Sequence, residues 1–134
     1  IKYLLQPYGA LVIVASLAKK GGEYLTEIKI DPISFDMGSA ELTVKTTDYL
    51  TTVTKLMSEK KEMRLTICGV AVPGDLPNLT VEGNKEDFFS LANQRAHVIQ
   101  DYFVSQGISV ERLFVCNPEV DIEEEAQPRA TMSL

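Results

Sequence analysis

The sequence predicts an α/β domain of the α+β-sandwich kind: an N-terminal helix, then β-α-β-α-β-β, with a small mixed four-stranded sheet carrying two helices on one face. Three observations lead there. Two stretches, residues 42–57 and 88–103, repeat apolar side chains at helical spacing. Short alternating runs precede, separate and follow them. A chain of 134 residues, 45% hydrophobic and 24% charged, has room for one core and little else.

The apolar run at residues 10–18, with Pro7 before it and Gly21-Gly22 after it, reads as a short helix. It falls far short of the roughly 20 residues that span a bilayer. A signal-peptide core ending near Ala18 is the rival reading of the same run. Residues 1–24 are expected to form this helix and a linker, and residues 25–134 the domain proper. The chain opens at Ile1 without a methionine and is expected to be a fragment of something longer.

Ile28 and Ile30 share a face and mark a first strand from Leu25, ended by Asp31-Pro32. Leu42, Thr46, Tyr49, Leu50, Val53, Leu56 and Met57 then form a helical stripe about 120° wide, as expected of one face packed on a sheet. Met63, Leu65 and Ile67 alternate with Arg64, Thr66 and Cys68 in a second strand that ends at Gly69. A Pro-, Gly- and Asn-rich loop over 73–83 follows. Asn84 is placed to cap a long helix that buries Phe88, Ala92, Ala96, Ile99 and Phe103, with Gly107 as its left-handed stop. Leu113 and Val115 belong to a third strand, residues 119–125 to an acidic solvated loop, and residues 129–134 to a fourth strand. Strands separated by helices call for right-handed crossovers and parallel pairing, and the short last link allows a hairpin.

A net charge of −6 repels phosphate, and the pairs Lys19-Lys20 and Lys60-Lys61 are isolated, so no nucleic-acid partner is expected. Cys68 and Cys116 have no metal-ligand spacing and are expected to be free thiols on separate strands. His97 is the sole histidine. Ser90, His97 and Asp101 would share the solvated face of one helix, with neither oxyanion hole nor walls to exclude water. The carboxylates of Glu119, Asp121, Glu123, Glu124 and Glu125 lack the spacing and central glycine of a calcium loop. No enzyme, metal or cofactor is expected.

Phe35-Asp36-Met37-Gly38-Ser39-Ala40-Glu41-Leu42 resembles the "F…GSAxL" entry into the first helix of OmpA-like periplasmic domains. Leu91-Ala92-Asn93-Gln94-Arg95-Ala96 resembles their "LSxxRA" motif. Val98, Tyr102, Gly107-Ile108 and Arg112-Leu113 continue it like "VxxYLxxxGIxxxRL". The stretch from Pro7 to Leu42, together with Arg112 to Pro118 and Pro128-Arg129, resembles the last segment of very large AsmA-like envelope proteins of unknown function. That resemblance implies a Gram-negative periplasmic location, a membrane-anchored parent protein as partner, and an association with lipid transport.

OmpA-like domains typically bind the diaminopimelate of peptidoglycan. An Asp in "GxTD" takes the ammonium, the Arg of "LSxxRA" takes a carboxylate, and Asn and Ser assist. Carried over, Arg95 matches the arginine and Gly69 the glycine, but Val72 stands at the aspartate, Phe88 at the asparagine and Ala92 at the serine. Losing one partner of a close charge pair costs about 2–5 kcal/mol, or roughly thirty- to several-thousand-fold in affinity. Asp75, three residues on, is the available substitute. The expected function is therefore a non-catalytic structural or interaction module with a degenerate OmpA-like pocket. The rival is a peptidoglycan-binding domain that uses Arg95. Residues 1–20, apolar all round, are expected to dock on the parent protein, on the sheet's open side, or on a second copy as a homo-oligomer.

Overall fold

A computed structural model describes residues 11–20 and 23–134, with side chains from residue 30 onward. In chain order the elements are β1 (Leu11–Lys20), β2 (Glu23–Ile30), β3 (Ile33–Ser34), α1 (Val44–Glu59), β4 (Leu65–Ala71), α2 (Lys85–Ser105), β5 (Leu113–Val115), β6 (Glu119–Val120) and β7 (Arg129–Ser133). The main sheet runs β3-β7-β4-β5, with β6 paired to the far end of β4. β5 and β6 lie parallel to β4 and β7 antiparallel, so the sheet is mixed as expected.

The expected N-terminal helix does not appear among the described residues. Residues 11–20 form β1, which pairs antiparallel with β2 from Leu11↔Ile30 to Lys20↔Glu23. Val12, Ile13 and Val14 are β-branched and favour extended backbone. The expected helix stop at Gly21-Gly22, like residues 1–10, lies outside the described residues. The strand expected from Leu25 is β2, but its partner is β1, and the edge of the main sheet is β3.

α1 begins at Thr43, whose Oγ1 accepts the Thr46 N–H at 3.2 Å, and buries Leu50, Val53, Leu56 and Met57. Its C-terminal carbonyls are held by Arg112, which donates to the backbone oxygens of Met57 and Lys60 at 2.8 Å each and of Met63 at 3.0 Å. α2 buries the five residues expected of it. It stops in a Schellman turn: Gly107 has φ +94°, its N–H bonds the Val104 carbonyl, and Ile108 N–H reaches back to Phe103. Asn84 precedes α2, but its amide donates to the Thr80 carbonyl rather than capping the helix.

β4 does not end at Gly69 but continues to Ala71, because Gly69 is where α2 crosses it. A Cβ there would lie 1.7 Å from the Ala92 carbonyl oxygen, so only glycine allows the helix this close. The main core lies between the sheet and the helices, around Leu50, Met57, Ile67, Ile99 and Phe103. Glu119 and Val120, expected in the acidic loop, form β6 against Val70 and Ala71.

The cysteines are also corrected. Thr66 pairs with Phe114 and Ile67 with Val115, and one step further along this register Cys68 is level with Cys116. Their Cα atoms are 5.1 Å apart and their sulfurs are bonded. By alternation from Gly69, the bridge sits on the sheet face away from α2. Unreduced, alkylated protein should therefore carry no thiol label by intact mass. With 48 positions between the cysteines, reduction should lower the urea-unfolding free energy by about 4 kcal/mol on chain-entropy grounds.

Candidate functional site

Arg95 sits in the middle of α2 with no exposed surface, which is rare for a guanidinium and requires that every donor be met. The donors are all met by the chain itself. Nε donates to the Ser39 carbonyl at 2.9 Å. Nη1 donates to the Val70 carbonyl at 3.0 Å and to Asp75 Oδ2 at 2.7 Å. Nη2 donates to the Asp36 carbonyl at 3.3 Å and to Asp75 Oδ1 at 2.6 Å. The Phe35 ring lies 5.4 Å from Cζ, closing one face of the guanidinium plane.

Asp75 is equally committed. Besides the two-pronged pair with Arg95, its Oδ1 accepts the Gly38 N–H and its Oδ2 the Val72 N–H, each at 2.8 Å. It is positioned by a short 3-10 turn, Pro73–Asp75, at the end of β4. Burial alone would raise its pKa. The Arg95 hydrogen bonds, the two backbone N–H groups and the Arg95 charge outweigh that and hold it below the usual carboxylate range.

The sequence named Arg95 and Asp75, and the fold brings them into contact. It buries both side chains completely. Gly38, at φ +73°, passes so close that an added Cβ would lie 3.2 Å from the Asp75 carbonyl oxygen. The Met37 side chain covers Gly74 on the outside. Val72, Phe88 and Ala92, the positions where the resemblance expects polar groups, are all buried. Phe88 and Ala92 join Ala71, Leu76, Val81 and Val120 in a second apolar cluster. Sequence reasoning missed the carbonyls of Asp36, Ser39 and Val70, since backbone acceptors leave no mark in side-chain identity.

An open depression of about 610 Å³ lies nearby, between Gly38–Glu41 and the Gln94, His97 and Val98 side of α2; neither Arg95 nor Asp75 lines it. Ser90, His97 and Asp101 are exposed, and the His97 ring bonds the Asn93 carbonyl at 2.9 Å. Among the described residues no group of three or more His, Cys, Asp or Glu side chains could hold a metal, and no helix is long and apolar enough to cross a membrane. Asp121 of the acidic loop pairs instead with Arg129 at 2.9 Å.

The profile described as the OmpA family matches residues 34–130. Solved structures agree on the fold. The OmpA-like domain of FopA1 from Francisella tularensis superposes with a TM-score of 0.67 at 15% identity, covering 100% of this chain and 94% of its own. The C-terminal domain of Helicobacter pylori MotB gives 0.58 at 14%, covering 78% of this chain and 83% of its own. The peptidoglycan-associated lipoprotein of Burkholderia pseudomallei gives 0.58 at 15%, covering 75% and 86%. No curated protein matches the sequence.

Replacing Asp75 by Asn should destabilise the domain by about 3–5 kcal/mol, the usual result of breaking a buried pair and leaving the other charge alone. Because the folded pKa of Asp75 is depressed, its contribution is complete above the unfolded value near about 4 and is lost as pH falls further. Urea melts of the unsubstituted chain from pH 7 down to 2 should thus lose stability below about pH 4, and the Asn variant should show a shallower acid limb.

Proposed function

The chain belongs to the OmpA family, and from that premise we propose that it is a non-catalytic structural or interaction module of a Gram-negative envelope protein, with the family's ligand pocket filled from within. One observation carries this reading: all five N–H groups of Arg95 are consumed by the chain, two of them by Asp75, and both side chains are fully buried. A ligand carboxylate would have to displace Asp75, and a ligand ammonium would have to win Asp75 from Arg95 and two backbone donors. Val72, Phe88 and Ala92 supply no polar atom to aid either exchange. In favour of an envelope location stand the Cys68–Cys116 bridge, a bond that persists in oxidising compartments such as the periplasm, and the likeness to a peptidoglycan-associated lipoprotein. The parent protein we assign is of the large AsmA-like type, anchored at the membrane.

The rival reading, diaminopimelate binding through Arg95 and Asp75, draws on the same pair, since a cation and an anion do lie side by side. Purified sacculi discriminate between the two. We expect no saturable retention of the domain. Retention that free diaminopimelate competes away would replace our reading with the rival.

Residues 1–20 we assign to docking. β1 has ten residues, rich in apolar side chains, and its sole pairing partner among the described strands is β2. A two-stranded ribbon is marginal alone, and an open strand edge recruits another strand. Light scattering of the isolated chain over a wide concentration range should show self-association. A monomer at every concentration would remove the assignment.

A further inference from the structure

β3 is the outermost strand of the main sheet among the described residues, and the pattern of its pairing shows what that edge presents. Ile33 pairs with Ala130 and Ser34 with Arg129, and Phe35 N–H bonds the Pro128 carbonyl at 3.1 Å. In an antiparallel ladder hydrogen-bonded positions alternate with non-bonded ones. With Phe35 bonded to β7, Ile33 is bonded too, and Ser34 turns both its N–H and its C=O away from β7. No described strand pairs with β3 on that side.

Along this edge runs a groove of about 400 Å³, within the usual range for ligand sites. One wall is the strand from Asp31 to Asp36, and the other is the first half of α1 at Thr43, Thr46 and Tyr49. The walls are tied together at one end, where the Tyr49 hydroxyl accepts the Asp31 N–H at 2.8 Å and donates to the Asp31 carbonyl at 3.3 Å. An edge strand facing a helix across a groove is the arrangement that admits an extended peptide as an added strand. Asp31 and Asp36 bracket the strand, both exposed and neither in an ion pair among the described residues. Lys45, on the helix wall, already has a partner of its own. The net charge of −6 has the same sign as the two carboxylates.

We propose that this groove is a docking site for an extended peptide segment bearing basic side chains, which pairs its backbone with Ser34 and its cations with Asp31 and Asp36. This goes beyond the closed-pocket reading and survives its failure, because neither Arg95 nor Asp75 lines the groove. The partner supplies one strand; the domain supplies backbone hydrogen bonds for affinity and carboxylates for selection.

The test is amide NMR of the intact chain titrated with a blocked, alternating Val-Lys pentapeptide, its Val-Glu counterpart, and a Val-Lys version N-methylated at the central residue. Shifts confined to residues 31–36 and 43–49 are expected with the Val-Lys peptide. Two exposed ion pairs should favour it over the Val-Glu peptide by about tenfold at low salt. That preference should vanish in Asp31→Asn/Asp36→Asn, whose substituted side chains carry no part of the fold, and the N-methylated peptide should lose binding. No shifts at these residues up to millimolar peptide, shifts centred elsewhere, or equal binding of both charge types would each overturn the proposal. Sacculus retention bears on the closed pocket alone, so the two readings fail separately.

Discussion

The buried pair of Arg95 and Asp75 is the contact on which the rest of this fold's upper rim depends. Arg95 reaches from the middle of α2 to the carbonyls of two separate segments, the loop at Asp36 and Ser39 and the strand end at Val70, and to the carboxylate of Asp75 on the turn beyond. Asp75 in turn holds the N–H groups of Gly38 and Val72. The link between β3 and α1 and the link between β4 and α2 are therefore fastened to one another and to α2 through a single ion pair.

How far the sequence reveals this depends on what kind of group makes each contact. The two helices are legible because each face rests on side chains at fixed spacing: Leu50, Val53 and Met57 in one, Phe88, Ala92, Ile99 and Phe103 in the other. The Gly107-Ile108 stop is legible because left-handed backbone strongly favours glycine. Residues 11–20 are not, since an apolar run without polar alternation suits a buried helix and a strand alike, and only pairing decides. The disulfide escapes for a related reason. Cys68 and Cys116 meet because β4 and β5 are neighbours in one particular register, a fact held in the sheet order and not in either strand.

The site divides the same way. Arg95 and Asp75 are visible as letters, and Val72, Phe88 and Ala92 are visible as departures from a polar pattern. What those letters do not carry is accessibility. That follows from Gly38 and Gly74 letting two loops close over the pair, and from Met37 lying against Gly74. The same glycines in a more open arrangement would have left a pocket with the same charged residues.

A buried ion pair is weak evidence of stability for its own sake, because desolvating two charges offsets most of their attraction, and well-packed apolar groups often do as well. Here an apolar replacement would be costly for a reason that the neighbours supply. The carbonyls of Ser39 and Val70 and the N–H groups of Gly38 and Val72 converge on this point and would lose these partners, at about 1–3 kcal/mol for each that stays buried, while the Asp36 carbonyl keeps the Ser39 N–H. The pair is thus retained by the backbone it satisfies. On the function proposed above, once the chain's own carboxylate answers the arginine, polar side chains around it are dispensable, and Val72, Phe88 and Ala92 can join the core while the fold and its central arginine stay in place.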